Sequence, residues 1–171
     1  MKSFAVPAIP AVLLVGMLLL PSSVPAHDAK QNAAPTAAPV DAAVQPAVAT
    51  VDAFSKALQA ADFATVEALL ASDVLILESG GAERSRQEYL HHHARSDAAF
   101  LKAAHVRMLK RTARTEGDLV WVGTESEIHA SKDGKPLTLL TAETMVLKRS
   151  DDRWRIVHIH WSSRPKPAKS N

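Results

Sequence analysis

The chain has 171 residues, of which 47% are hydrophobic and none is cysteine. This length suits one folded domain beyond any targeting segment, and the lack of cysteine excludes disulfides, thiol catalysis and zinc–thiolate sites. The formal net charge is only +2, from 20 Lys and Arg residues and 18 Asp and Glu residues. Because the basic residues are scattered and not interleaved with aromatic residues, the sequence predicts no nucleic-acid partner.

The N-terminal segment 1–26 has the composition of a secretory signal peptide. Lys2 provides a positive start, residues 11–20 form an apolar run, and small residues precede a predicted cleavage site near Ala26. The apolar run is short for a transmembrane span. We therefore expect a periplasmic or secreted protein with no membrane attachment after cleavage.

Two further segments flank the predicted domain. Residues 27–48 are rich in Ala and Pro and lack a hydrophobic period, which predicts a flexible linker. The folded domain is expected at residues 49–165. A short basic tail at 166–171 is predicted to be disordered and solvated.

The domain is predicted to begin with two helices and a strand. Thr50 has the chemistry of an N-cap for a helix that reaches about Ala60, and Asp62 can cap a short second helix. Residues 74–77 form a continuous apolar run, which is typical of a buried strand.

A third helix is predicted after the break at Gly80 and Gly81. Ser85 and Glu88 have the spacing of a capping box, and the helix is expected to continue without interruption to about Leu101.

Four strands are predicted to follow, separated by the turns Glu116-Gly117, Asp133-Gly134 and Ser150-Asp151. Helices followed by an antiparallel meander indicate an α+β fold with the helices packed on one sheet face. The predicted strands span residues 104–115, 118–130, 137–149 and 153–163.

The turns also predict a register. A two-residue turn at Asp133-Gly134 pairs Thr124 with Glu143, and one at Ser150-Asp151 pairs Glu143 with His158 and Thr141 with His160. A one-residue slip in the last hairpin would instead place Thr144 opposite His158. Both predicted turns put the following residues on one face: Val122, Thr124, Ser126, Thr141, Glu143, Met145, Leu147, Trp154, Ile156, His158, His160 and Ser162.

The order of elements and the last two strands resemble the nuclear-transport-factor-2-like superfamily, and more narrowly its SnoaL-like domains from bacterial exported proteins. The most specific stretches are Glu143-Thr144-Met145-Val146-Leu147 and residues 154–162, within a resemblance that covers about residues 50–163. It implies a cone-shaped, cystatin-like α+β fold in which three N-terminal helices and a curved antiparallel sheet enclose a pocket, often in a dimer.

The superfamily includes ketosteroid isomerase, polyketide cyclases and dehydratases, together with non-catalytic binding and assembly domains. The Tyr and Asp set of the isomerase does not map onto this chain. Its only tyrosine, Tyr89, lies in the third predicted helix, and no Asp lies on the predicted pocket strands. The fold therefore does not decide the function.

Glu143, His158 and His160 are the candidate catalytic residues. A carboxylate beside an imidazole suits proton transfer of an isomerase or a lyase (hydratase) on a small organic ligand. Two alternatives stay open: a polar network with a purely structural role, and a pocket that binds without turnover. The predicted ligand-binding residues are Tyr89, His92, His93, Thr124, Ser126, Thr141, Trp154 and Ser162.

Metal binding is a second functional hypothesis, although no cofactor is required by the first. His158 and His160 project to the same side of a strand, and His93 on the third helix could face them. An exported, cysteine-free set of histidines would suit a divalent copper, zinc or nickel ion.

The reverse face of the predicted sheet collects exposed apolar residues. Such a patch usually marks an interface, and we expect a homodimer through Trp121, Val157, Ile159 and Trp161.

Overall fold

The structure, a computed structural model, describes residues 42–167. The predicted signal peptide, its cleavage site near Ala26 and most of the predicted linker lie outside these residues. No helix among residues 42–167 is long and apolar enough to cross a membrane. The elements are a 3-10 helix (Ala42–Val44), α1 (Gln45–Gln59), α2 (Phe63–Leu69), β1 (Leu70–Glu78), β2 (Gly81–Glu83), α3 (Arg86–His91), α4 (Ala94–Ala103), β3 (His105–Glu116), β4 (Leu119–Lys132), β5 (Lys135–Ser150) and β6 (Arg153–Pro165).

The six strands form one curved, unclosed sheet in the order β2-β1-β6-β5-β4-β3. Strands β3 to β6 are the predicted antiparallel meander, and β1 adds to it by pairing with β6 in parallel. The predicted α+β, cystatin-like fold class is confirmed. We call the sheet face that packs against the helices the inner face, and the opposite one the outer face.

Helix α1 begins at Gln45, five residues before the predicted N-cap Thr50. Pro46 lies in its first turn, where a fixed φ and a missing N–H are tolerated. Ala47 and Val48, within the segment predicted as linker, are buried. The linker prediction therefore extended too far along the chain, because the Ala- and Pro-rich composition concealed the first turn of an amphipathic helix.

The third predicted helix is two helices, α3 and α4. The backbone of His92 leaves the helical region (φ −103°, ψ −85°), and α4 begins after His93. Ser85 is the N-cap of α3, as predicted, because its hydroxyl accepts from the N–H of Glu88, and the Glu88 carboxylate accepts from the N–H of Arg84, one residue before the N-cap. At this break, Nδ1 of His93 contacts the buried carboxylate of Glu83.

The register between β4 and β5 is the predicted one. Asp133 and Gly134 have φ of 52° and 73°, as the central residues of a type I′ turn require. Lys132 therefore pairs with Lys135, and Thr124 lies opposite Glu143.

The predicted register between β5 and β6 is wrong. The turn is Asp151-Asp152, one residue later than predicted, with both residues at positive φ. A bulge then inserts Val157, which has no partner in β5. Because the bulge shifts the alternation by one, Glu143 pairs with Trp161, and neither Glu143 nor Thr144 lies opposite His158.

The hydrophobic core lies between the inner face and helix α1. Val122, Met145 and Ile159 are adjacent in the sheet and fully buried, and Phe54 and Leu58 of α1 belong to the same cluster. Burying one such side chain contributes roughly 1.5–3 kcal/mol. These core side chains fill one end of the space between the helices and the sheet.

Lys166, the first residue of the predicted disordered tail, is held against the sheet. Its N–H donates to the carbonyl oxygen of Thr138 at 2.8 Å, and its ammonium group contacts Glu127. The ordered part of the domain therefore extends past Pro165.

Candidate functional site

A cavity of about 390 Å³ lies between the inner face and helices α1 and α4. Its polar wall comes from adjacent strands, and its apolar wall comes from the helices and the ends of β3, β4 and β5. The residues that line it are Phe54, Ser55, Lys56, Leu58, Gln59, Glu78, Asp97, Phe100, Leu101, Val106, Met108, Arg111, Thr124, Ser126, Ile128, Leu139, Thr141, Glu143, Trp161, Ser162 and Ser163.

Strand pairing arranges the polar wall in rows. Arg111, Thr124, Glu143 and Trp161 are successive partners across β3, β4, β5 and β6. We call these four residues the charged row. Neighbouring strands lie about 4.8 Å apart, and Arg111 and Glu143 are two strands apart in this row. The core layer of Val122, Met145 and Ile159 borders it on one side.

A second row borders the charged row on the side away from the core. Ser126, Thr141 and Ser163 are its members on β4, β5 and β6, and Met108 is its member on β3. The hydroxyl groups of Ser126, Thr141 and Ser163 offer the cavity both donors and acceptors.

Glu143 is the central acid of the charged row. Its Oε2 accepts a hydrogen bond from Nε1 of Trp161 at 2.8 Å, and Oε1 has no hydrogen-bond partner among residues 42–167. Burial raises the pKa of this carboxyl, although the Trp161 hydrogen bond and the nearby Arg111 act in the opposite direction. A carboxyl with a raised pKa is a stronger base than an ordinary carboxylate, and its unpartnered oxygen can accept a proton and return it.

Arg111 is the cation of the same row. Its Nη1 donates to Oδ1 of Asp52 at 2.6 Å, and its Nε donates to the hydroxyl of Thr124 at 3.3 Å. Only 13% of the Arg111 side chain is exposed, whereas 60% of the Asp52 side chain is. Helix α1 thus supplies, through Asp52, the carboxylate that orients a largely buried guanidinium.

Two further carboxyl groups lie at the β1 and α4 side of the cavity. Asp97 accepts a hydrogen bond from the buried Tyr89 hydroxyl at 3.0 Å. Burial raises the pKa of Asp97, and desolvation together with the nearby Asp97 raises the pKa of Glu78. The pKa of Tyr89 is also raised, by burial and by Asp97, so its hydroxyl stays a hydrogen-bond donor.

A second, shallower cavity of about 310 Å³ adjoins the first. Glu78 lines both cavities, and the second is completed by the β1–β2 turn, Glu83 and His93. Nδ1 of His93 contacts Oε1 of Glu83, whose side chain is almost fully buried. His93 therefore lies near the acids of the main cavity without lining it.

The structure separates the three predicted catalytic residues. Glu143 lies in the cavity, but the Val157 bulge places His158 and His160 on the outer face. Nδ1 of His158 lies 2.9 Å from the carbonyl oxygen of Leu75, and His160 is exposed. The predicted pairing of Glu143 with these imidazoles is thus corrected to a pairing with Trp161.

The predicted ligand-binding residues divide in the same way. Thr124, Ser126 and Thr141 line the cavity, and Ser162 contributes to its rim although its register is that of the outer face. The others do not line it: Tyr89 acts through Asp97, His92 is exposed, His93 belongs to the second cavity, and Trp154 packs on the core.

The predicted metal ligands are not brought together. His93 lies by Glu83, whereas His158 and His160 are on the outer face. Within residues 42–167, no three His, Asp or Glu side chains are grouped so that they could hold a metal ion. The donor set thus does not fit the copper, zinc or nickel site expected from the sequence.

The comparison with protein families agrees with this architecture. The family model of the SnoaL-like domain matches residues 47–166, which is most of the chain. The chain belongs to the SnoaL-like family. The nuclear-transport-factor-2-like superfamily predicted from the sequence is thereby confirmed.

Solved structures extend the comparison. A protein from Shewanella frigidimarina NCIMB 400, provisionally described as a ketosteroid isomerase, is 36% identical, with a TM-score of 0.67, covering 69% of this chain and 95% of its own. The CaMKII hub of S. rosetta is 17% identical (TM-score 0.63; 75% of this chain and 98% of its own).

A nuclear-transport-factor-2-like protein with a cystatin-like fold from Novosphingobium aromaticivorans is 14% identical, with a TM-score of 0.56, covering 68% of this chain and 79% of its own. At these identities, the second and third of these structures show the fold alone. Comparison with curated proteins finds no match.

Four charged groups that line the cavity of this SnoaL-like domain are not among the residues predicted for the site: Lys56, Glu78, Asp97 and Arg111. Arg111 faces inward because of a shift in register between Met108 and Lys110, which no turn residue signals. Asp97 and Glu78 lie on α4 and β1, outside the predicted meander that supplied most of the predicted site residues. The spacing of Tyr89 and Asp97, which holds in α3 and α4 despite the break, was the available signal.

Proposed function

We propose that this SnoaL-like protein binds a small, mostly apolar organic molecule in the main cavity, and that Glu143 transfers a proton to or from it. The reaction class is that of an isomerase or a lyase. The observation that carries the proposal is the Glu143 carboxyl itself, with Oε2 held by Trp161, Oε1 unpartnered among the described residues, and a pKa raised by burial.

The cavity has the dimensions and chemistry that such a ligand needs. Its volume of about 390 Å³ lies in the range of small-molecule sites, and apolar atoms form most of its surface. The hydroxyl groups of Ser126, Thr141 and Ser163 can orient a polar substituent of the ligand. The ligand's apolar body would lie along Leu139 and Ile128 toward the mouth.

Proton transfer follows from the position of Glu143. As a carboxylate, its Oε1 can remove a proton from a carbon next to a carbonyl group, and the resulting acid can return the proton to another position. Holding Oε2 on Trp161 fixes the plane of the carboxyl through both steps. The 36% identical structure from Shewanella frigidimarina, provisionally described as a ketosteroid isomerase, is consistent with this class.

The test uses apolar ketones that fit the cavity. Binding is measured by calorimetry, and proton removal is measured by NMR as exchange of the hydrogens next to the carbonyl in D₂O. We expect exchange to fall at least about 100-fold in Glu143→Gln while ligand affinity is retained. Glu125→Gln, on the outer face of β4, should exchange like the native protein.

Two outcomes would contradict the proposal. Equal exchange in Glu143→Gln and the native protein would remove the role of Glu143. Unchanged affinity in Thr141→Trp, which fills the cavity with an indole, would show that the ligand binds elsewhere. The second variant therefore tests the location and the first tests the chemistry.

We further propose that the protein is exported and acts as a homodimer. Export rests on the composition of residues 1–26 and the small residues before Ala26. The assembly is supported by the similarity to the CaMKII hub of S. rosetta and by an apolar outer face.

The dimer surface differs from the one predicted. Ile159 is buried in the core and Trp161 lies in the cavity wall, because the bulge turns both to the inner face. Of the four residues predicted for the dimer surface, Trp121 lies on the outer face, and Val157 lies in the bulge. Leu75 lies exposed on the same face as Trp121, so an apolar patch remains for a second copy.

A further inference from the structure

We propose that Arg111 makes the cavity selective for a small amphipathic carboxylate, whose anionic group binds the guanidinium and whose apolar body extends toward the mouth. This inference deepens the proposed function and rests on it, because it requires that the main cavity binds a ligand. It names the chemical class of that ligand and the residue that recognises it.

The guanidinium is held in one orientation and keeps one edge available. Nε is bonded to Thr124 and Nη1 to Asp52, whereas Nη2 has no hydrogen-bond partner within residues 42–167. An accessible N–H group without a protein partner is left to bond to water or to a ligand. Arg111 lines the cavity, so that group is available to a ligand there.

Burial increases the strength of this interaction. With only 13% of its side chain exposed, Arg111 is shielded from the solvent that weakens surface ion pairs. Its planar fork matches a carboxylate better than an ammonium group does. Lys56, the other cation at the cavity, is exposed on α1 and is therefore a weak discriminator.

The rest of the cavity suits an apolar body of about two fused rings. From Glu143 to Leu139 the wall extends over four residues of β5, or about 13 Å. The residues around that end are apolar: Phe100, Leu101, Val106, Ile128 and Leu139. Phe100 and Val106 are each 41% exposed, which marks the mouth through which such a body would enter.

Glu143 is compatible with an anionic ligand. Burial raises the pKa of Glu143, which favours the uncharged carboxyl and so reduces its repulsion of an anionic ligand. Glu143 lies two strands from Arg111 in the charged row, so both groups line the same part of the cavity.

The test compares three ligands of one shape and different charge. These are 2-naphthylacetate, 2-(2-naphthyl)ethanol and 2-(2-naphthyl)ethylamine, titrated into the full mature chain by calorimetry at pH 7 and constant ionic strength. We expect the carboxylate to bind at least about tenfold more tightly than the alcohol. The amine should be the weakest ligand, because Arg111 repels it.

The variants assign the preference to one side chain. Arg111→Gln should weaken carboxylate binding about tenfold or more and leave alcohol binding unchanged, which also verifies that the cavity is intact. Arg114→Gln is the matched control, since it makes the same change on the outer face of the same strand. Lys56→Gln should retain the preference.

Three results would overturn the inference while leaving the proposed function standing. These are an amine or alcohol that binds the native protein as tightly as the carboxylate, a carboxylate preference that survives in Arg111→Gln, and a preference lost in Lys56→Gln instead. If none of the three ligands binds the native protein in the cavity, the proposed function fails together with the inference.

Discussion

The indole N–H of Trp161 donates to Oε2 of Glu143 over 2.8 Å, between directly paired positions of β5 and β6. The same indole lies 6.1 Å, centroid to centroid, from the buried ring of Tyr89, whose hydroxyl donates to Asp97. Two of the carboxyl groups in the cavity are therefore held by aromatic donors that contact each other. This arrangement orients both acids, and within residues 42–167 neither forms a salt bridge.

The first prediction concerns the hydrogen bond to Glu143. Trp161→Phe keeps an aromatic ring beside Tyr89 but removes the indole N–H. In the native protein, the hydrogen bond from this N–H lowers the pKa of Glu143. We expect the pKa of Glu143 to rise further in the variant. Carbon-detected NMR titration of the Glu143 carboxyl measures it, and Trp154→Phe, away from the cavity, is the control. A pKa that falls or stays unchanged would refute the role assigned to Trp161.

The second prediction concerns stability and pH. Because the folded-state pKa of Glu143 lies above its ordinary value of 4.5, its contribution to stability is fully present below pH 4.5 and is lost as pH rises through the folded-state pKa. Glu143→Gln should therefore be more stable than the native protein at pH 7, by on the order of 1 kcal/mol, and should lose that advantage near pH 4.

Urea unfolding at the two pH values measures this difference. Glu125→Gln is the control, because it removes an exposed carboxylate from the outer face of the same sheet. A Glu143→Gln protein that is less stable than the native one at pH 7 would show that the ionised carboxylate stabilises the fold.

The third prediction concerns Glu127, whose contribution to stability depends on pH in the opposite direction to that of Glu143. Glu127, on the outer face, has a pKa lowered to about 2 by the hydrogen bonds from Lys166 and Arg107. Its contribution to stability is present above its ordinary pKa of 4.5 and is lost as pH falls toward 2. Lys166→Ala should raise the pKa of Glu127 and move this loss of stability to higher pH.

NMR titration of Glu127 and acid unfolding followed by circular dichroism check both effects. Lys135→Ala, at the β4–β5 turn, removes an exposed lysine that makes no contact with Glu127 and should change neither. An unchanged pKa in Lys166→Ala would mean that the Lys166 contact, at 2.5 Å, does not persist in solution.

The fold could be predicted from the sequence because its turns are chemically explicit. Asp133-Gly134 has the residues that a type I′ turn requires, and the register from Thr124 to Glu143 follows from it. The Ser85 N-cap likewise marks the beginning of α3. In both places, local chemistry and the tertiary structure agree.

The site was harder to predict because β6 is apolar on both faces. Trp154 and Ile156 lie in one phase of the alternation and Val157, Ile159 and Trp161 in the other, so either phase offers the core apolar side chains. The bulge at Val157 selects the phase in which Ile159 and Trp161 face inward. A bulge of this kind depends on the match between β5, β6 and β1, which no single strand encodes.

The fourth prediction concerns the outer face. Trp121, Val146, His158 and Leu75 are successive partners across β4, β5, β6 and β1, so this row crosses the middle of the sheet. Trp121 and Leu75 are each more than a third exposed, and the Trp121 ring lies over Gly123, which has no side chain to displace it. A partly apolar, exposed row of this length suits the same row of a second copy.

Trp121→Glu should therefore weaken the proposed homodimer at least about tenfold, because an aromatic residue at the centre of an interface carries much of the binding energy and a buried unpaired charge opposes it. Sedimentation velocity over a range of concentrations measures the dissociation constant. Ser131→Glu adds the same charge at the exposed end of β4 and should leave it unchanged. A native protein that sediments as a monomer at every concentration, or a Trp121→Glu protein that dimerises as tightly as the native one, would assign the apolar row to another role.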